Sequence, residues 1–450
     1  MHKINTFAVW WLPFSCMTVL FAAHLSIGAN TNALSLIFAV ENYALCLLSL
    51  AFSPKVGQAV APSSTKIILL LFAVLLLIIG FQLAPFSSEY THPFWAWVSA
   101  PDVIALDRDA ARIELIKLGA LGAFFIIGLV LGIQDKRAEL LFKLLIIAGG
   151  AFALWAFIDY LSVARAAPNG YVQSYRRLEA GFGSANSAAT LFGALSVLSL
   201  ASIIRAAKSV ASKTSNRMVF FEQLIKRSPL SIIALLFTLT SLLLTASRAG
   251  ISASVVAILV LIGWELLRST GNKSGSVKVS GVALLALSII ALVFFMSSGL
   301  FIDRLNETGV SSEVRAQMLA SHWQAFKIAT WAGYGLGSFY LVNDILMNVQ
   351  NWRALHDLGS MHNVYLQWLE EVGIIGASLM FSTIALVFWH ILRGLRVRRR
   401  MHTWLRAILC ISLLVLLHGM VDYGLQVPSI AMTWALLLGI GFGLATKRQH

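Results

Sequence analysis

Apolar residues run almost unbroken for about 20 positions at a time along most of this chain, and polar residues collect between the runs. A helix rises about 1.5 Å per residue, so about 20 apolar residues cross a hydrocarbon core about 30 Å thick. Continuous runs, rather than alternation over about ten residues, predict membrane helices and not a β-barrel. Twelve spans follow, at residues 7–24, 33–52, 66–84, 112–134, 140–158, 183–205, 229–246, 249–267, 280–300, 363–392, 404–421 and 427–446. The first follows Lys3 as a signal peptide would, but no small-x-small cleavage site comes after its apolar core, so it counts as a span. The expectation is an all-α, polytopic, single integral membrane domain over residues 1–450.

One stretch breaks the pattern. Phe301 to Gly376 is polar over most of its length, and 301–362 reads as a long, partly helical loop at one membrane face. Ser311 or Ser312 can cap a helix that has Glu313 in its first turn and runs to about Ala329. At about 100° per residue, Val314, Met318, Leu319, Trp323 and Phe326 form its apolar stripe, with Glu313, Gln317, Gln324 and Lys327 opposite. Arg315 and His322 project within that stripe. If the stripe faces the membrane domain, Arg315 is buried, and a buried guanidinium keeps its proton and needs an anion or a hydrogen-bond partner. The plain partner is a carboxylate such as Glu179 or Asp422; the functional one is a ligand phosphate. GYGLGSF at 333–339 permits tight turns, which alone says little about phosphate. Residues 340–361 read as irregular. Met361-His362-Asn363 then leads into the span that starts VYLQWLEEVGIIG, which sets His362 at a helix entrance on the membrane boundary. A neutral imidazole there can take a proton from a hydroxyl, and the positive helix N-terminus favours neutrality. A capping histidine is the plainer reading.

Composition agrees with the spans. The chain is 58% hydrophobic and 12% charged, where soluble domains are about a quarter charged. The net charge of +14 invites a nucleic-acid partner, but its placement argues against one. With the N-terminus in the cytoplasm, 23 of the 34 Lys and Arg residues fall on the inner loops, and both termini are cytoplasmic. The basic excess is then a topology signal, with contact to anionic lipids. Cys16, Cys46 and Cys410 lie in spans and make neither a disulfide framework nor a metal spacing.

The remaining basic residues are outside, where topology does not ask for them. Arg304, Arg315, Lys327 and Arg353 lie in the long loop, and Arg108, Arg112, Lys117, Arg165, Arg176, Arg177 and Arg248 lie in shorter segments. Pro93, Trp95 and Trp97 suit the membrane boundary. Asp107-Arg108-Asp109 has an Asp-x-Asp spacing used in some metal-dependent glycosyltransferases, although a helix cap explains Asp107 or Asp109 better. Arg176 and Arg177 precede ANSAAT, where Asn186 can bond across helices or simply pack. The short turn LTASRAGIS puts Arg248 at the boundary, to snorkel or to hold an anionic lipid-linked ligand. His418 and Asp422, four apart, share a helical face, so Asp422 can orient a histidine or pair with an arginine.

These pieces resemble the O-antigen ligase and polymerase superfamily. SRAG at 247–250, Arg315 ahead of GYGLGSF, HNVYLQWLEEVGIIG at 362–376, ANSAAT, and the pair His418 and Asp422 carry the resemblance, over roughly 165–440. The resemblance implies a GT-C-like, metal-independent glycosyltransferase without a cofactor, on the periplasmic face of the bacterial inner membrane. Its donor would be a glycan on undecaprenyl pyrophosphate. Its acceptor would be a sugar hydroxyl of the lipid A core in a ligase, or another lipid-linked glycan in a polymerase. By the same resemblance Arg248 and Arg315 hold the pyrophosphate, with Arg304 and Arg177 further candidates. His362 would be the base or a group that orients the acceptor, and Asn363, Asp422, His418 and Asn186 would support it. Protein O-oligosaccharyltransferases of this superfamily usually carry a further C-terminal soluble region, so the stop at His450 points away from that branch. A transporter of lipid-linked glycan is the rival of another class, but Glu41 is the only acid placed well inside a predicted span.

Overall fold

The computed structural model describes residues 2–53, 56–85, 94, 103–165, 177–214, 216–269, 308–356, 358–398 and 400–446, and every element among them is a helix. In chain order these are α1 (His2–Leu25), α2 (Asn32–Phe52), α3 (Ser63–Gln82), α4 (Arg108–Gly132), α5 (Asp135–Arg165), α6 (Ala185–Ala211) and α7 (Arg217–Arg227). Then come α8 (Pro229–Leu244), α9 (Arg248–Ser269), α10 (Thr308–Ile328), α11 (Phe339–Leu346), α12 (Val364–Val397), α13 (His402–Gly419) and α14 (Pro428–Thr446). Short helical pieces lie between some of them.

Nine of these helices are long and apolar enough to cross a membrane among the described residues, and a tenth results if α7 and α8, bent by 79°, count as one span. Trp10–Leu25 is a shorter apolar helix, and the expected span at 280–300 lies outside the described residues. The chain is a polytopic helical membrane protein; the expected count of twelve is not reached among the described residues.

α6 runs through the middle of the bundle, buried along nearly its whole length. Small residues let other helices meet backbone to backbone. Gly128 and Gly132 of α4 face Gly439 and Gly443 of α14, and a Cβ on Gly439 would sit 2.1 Å from the Phe125 carbonyl oxygen. Such spacing of small residues allows close packing where no hydrophobic effect drives helices together.

One end of the bundle is laced by ion pairs between helix ends. Arg398 pairs with Asp135 at 2.8 Å, Arg205 with Glu139 at 2.9 Å, and the fully buried Glu265 takes both Arg406, at 2.7 Å, and Lys208. We call this the basic end. The opposite end carries the long polar segment and is the site end.

α12 is not one continuous span. It breaks at Gly373, where φ is +65° and ψ −178°. A break strands carbonyls on one side and N–H groups on the other. The stretch 330–335, which runs into GYGLGSF, takes up both. Tyr334 N–H donates to Glu370 O at 3.0 Å and Gly335 N–H to Glu371 O at 2.8 Å. Beyond the break, Ile374 N–H donates to Thr330 O at 2.8 Å. Gln82, at the end of α3, adds bonds to Ala332 O and Glu371 O. Gly333 and Gly335 adopt positive φ in this fit, and a Cβ on Gly373 would lie 2.1 Å from Trp331 O. The glycines thus splint a broken helix. The arm before the break, 364–372, runs from the end of α13, where the Tyr365 hydroxyl donates to Leu416 O, to the end of α3.

Four other expectations need correction. α10 begins at Thr308, so Ser311 and Ser312 lie inside its first turn and do not cap it. Residues 340–361 hold α11 and a helical turn at Trp352–Leu355, because Phe339, Leu355 and Met361 join an apolar cluster with Met318 and Phe326. Arg315 is exposed: burial begins a turn later, at Met318, and continues through His322 and Phe326. Trp323, at the edge of the stripe, is exposed as well.

Candidate functional site

Side chains from distant stretches converge at the site end. Asn363 caps α12, accepting Leu366 N–H at 2.9 Å, while its amide donates to Met420 O at 3.0 Å. These bonds fix His362, the preceding residue, at a left-handed φ of +51°, a conformation that is uncommon for a side chain with a Cβ. Met361 N–H donates to Gln367 Oε1 at 3.2 Å, which holds the chain from the other side. The His362 ring then lies with Nδ1 3.1 Å from Asp422 Oδ1, and the edge of its ring meets Tyr423. His362 is partly exposed, whereas Asp422 is 1% exposed.

A second line of contacts reaches the same carboxylate. Arg177 donates from Nε to Thr245 O at 2.7 Å and from a terminal nitrogen to Asn186 Oδ1 at 2.7 Å. The Asn186 amide in turn faces Asp422 Oδ1 at 3.3 Å. Asn186 is therefore a bridge as well as a packing residue. Thr245 belongs to the turn that leads into Arg248, the half-buried first residue of α9. Two residues on, a Cβ at Gly250 would lie 2.5 Å from Ala189 Cβ and 3.2 Å from the His418 ring, so this turn is pressed onto α6 and α13.

His418 sits beneath, buried, with Nδ1 2.8 Å from the Thr190 hydroxyl and Nε2 3.9 Å from Asp422 Oδ2. At 3.9 Å the contact with Asp422 is electrostatic and not a hydrogen bond, and the Thr190 hydroxyl also lies 3.3 Å from Asn186 O, so Thr190 links His418 to the backbone of α6. Burial holds the Tyr423 phenol above its ordinary range, with the Asp422 carboxylate adding to this against a hydrogen bond from Ser184, so Tyr423 is neutral.

The structure thus brings His362, Asn363, Asp422, His418, Asn186 and Arg177 into one linked set, with Arg248 in the adjoining turn. Arg315 stands on α10 one turn before Met318, which packs in the same cluster as Met361. Arg304 and Arg176, like Pro93, Trp95 and Trp97, lie outside the described residues. Asp107 accepts from Asp109 N–H and Ala110 N–H and so caps α4, and Asp109 pairs with Arg112, so both carboxylates of the Asp-x-Asp stretch are engaged.

Residues 233–381 match the Wzy_C family model, described as O-antigen ligase. That match supports the O-antigen ligase superfamily. No curated protein matches the chain. The matched segment extends from α8 into α12 and holds Arg248, Arg315, His362, Asn363 and the splinted break. Arg177, Asn186, His418 and Asp422 lie outside it and reach it through the fold.

Sequence reasoning passed over Gln367, Tyr423 and Gln426. Gln367 accepts from Met361 N–H and from the Gln426 amide, and donates to Glu371 at 2.9 Å. A glutamine one turn into an apolar helix, next to two acids, was the available signal. His322, placed in the stripe, is fully buried and bonds Glu370 at 2.8 Å and Asn343 at 3.3 Å, so it fastens α10 and α11 to the arm of α12.

Proposed function

We propose that this protein moves a glycan from undecaprenyl pyrophosphate to a sugar hydroxyl of the lipid A core, without a metal and with inversion at the anomeric carbon. The reaction face is the periplasmic one, in a multi-pass protein of the bacterial inner membrane with both termini in the cytoplasm. The family match supports O-antigen ligase- or polymerase-type activity, and membrane lipids and a lipid-linked glycan are the partners that fit.

The observation that carries the reading is the contact of His362 Nδ1 with Asp422 at 3.1 Å. A carboxylate there takes the Nδ1 proton as its hydrogen bond, which leaves Nε2 with its lone pair outward, as a base requires. Nε2 accepts the proton of the acceptor hydroxyl as the oxygen attacks the anomeric carbon. The new C–O bond forms as the bond to the pyrophosphate oxygen breaks, and undecaprenyl pyrophosphate leaves with the electron pair. Arg248 and Arg315 balance the growing charge through charge-assisted hydrogen bonds. Arg177, through Asn186, holds Asp422 in place.

Transfer by the purified, reconstituted protein tests this. Asp422→Asn can still accept a hydrogen bond but no longer carries charge, and it should lose part of the roughly 10²–10⁴-fold that a general base contributes. Full activity in that variant would remove the proposed pair. Glycan profiling of a deletion strain tests the acceptor. Loss of all O-chain from the lipid A core fits a ligase; a single repeat left on the core would move the reading to a polymerase. Transport without glycosidic bond formation would favour a transporter.

A further inference from the structure

Trp331 stands 70% exposed immediately beside the break in α12. Its carbonyl lies 3.4 Å from the Ile375 N–H, and the neighbouring Thr330 carbonyl accepts Ile374 N–H at 2.8 Å. Ile374 and Ile375 open the membrane-crossing part of α12, and they are 37% and 48% exposed. An apolar side chain exposed on a membrane span faces lipid, so the backbone of Trp331 is hydrogen-bonded to the first lipid-facing turn of that span. A ring fixed at that height cannot lie far out in water. Just before it, α10 ends with Lys327 and Ile328 exposed, Ile328 at 52%.

We infer that Trp331, Ile328 and Lys327 form a ledge that rests in the phospholipid headgroup region of the leaflet at the site end. The chemistry suits that layer. Indole places an apolar ring among acyl chains and its N–H among the headgroups, where tryptophan is enriched. At that height the Lys327 ammonium would meet lipid phosphates, to which a basic side chain is attracted. Continuity with the lipid-facing start of α12 favours lipid over a protein partner. The ledge anchors the C-terminal end of α10 to the bilayer surface, and with it the helix that carries Arg315. This inference does not rest on the proposed reaction.

The test uses the full chain in vesicles of phosphatidylethanolamine and phosphatidylglycerol. Cys16, Cys46 and Cys410 are buried, so a cysteine introduced as Trp331→Cys can be labelled selectively with an environment-sensitive fluorophore. Quenching by headgroup-attached spin-labelled lipid should exceed quenching by aqueous iodide several-fold. Ile328→Cys gives the same reading if the first variant does not insert. Iodide quenching equal to that of free dye would overturn the ledge by placing it in water. Protection from both quenchers would overturn it by showing cover from protein, such as a second copy of the chain.

Discussion

The two ends of the bundle use similar residues for opposite purposes. At the basic end, each carboxylate meets cations directly: Asp135 with Arg398, Glu139 with Arg205, Glu265 with Lys208 and Arg406. Arg205 and Arg406 also lie over the rings of Trp404 and Trp264. Charges matched in this way tie helix ends together and leave little to react. At the site end, the buried Asp422 meets two imidazoles and an amide, while the nearest arginine it uses, Arg177, is held one residue away by Asn186. A guanidinium in direct contact would neutralise the carboxylate and weaken its hold on His362. Interposing an amide keeps the charge available to the histidine.

This contrast can be broken at either end. The largest effect is expected from His362→Ala, which should lower transfer by roughly 10²–10⁴-fold. The protein should remain in the membrane at its normal melting temperature; an unfolded variant would instead make His362 structural. Glu265→Gln should do the reverse. Stripping the shared charge from Arg406 and Lys208 should cost about 3–5 kcal/mol of stability, read as a lower melting temperature in detergent, with transfer per folded molecule unchanged. Equal loss of activity and stability would mean that the two ends are coupled. Gly373→Ala puts a Cβ against Trp331 O at a positive φ. That backbone region is essentially confined to glycine and alone costs about 1–3 kcal/mol, and activity should fall further as the arm that leads to His362 shifts. The smallest effect should come from Arg112→Ala. Its pair with Asp109 is solvated, so stability should change by less than about 1 kcal/mol, measured in the same melts.

Much of this was legible in the sequence because lipid imposes a strong code. Apolar runs reveal spans, and the cap at Asp107 followed from a carboxylate before a helix start. His362 and Asp422 could be named singly, but their contact crosses 60 residues and no local pattern reports it. The helical period suggested burial for Arg315 because it says which residues share a face, not how far along the helix the cover extends. The break at Gly373 was hidden since the residues after it stay apolar and the run looks continuous. GYGLGSF said little by itself because the same freedom of backbone serves a ligand or another stretch of chain.

The joint at Gly373 has a consequence for variation among sequences of this kind. From Ile374 to Val397 the helix is about 36 Å long and crosses the bilayer unaided. The splice that attaches the preceding arm consists largely of main-chain donors and acceptors, reinforced by the Gln82 amide, so it is strictest where a Cβ would collide. Homologous chains should therefore retain glycine at 333, 335 and 373, together with a buried aromatic ring at the equivalent of Tyr334, which is fully buried and donates its hydroxyl to Ala325 O at 2.8 Å. They could also lengthen or re-angle the arm that ends in His362 without re-engineering the segment that holds them in the membrane.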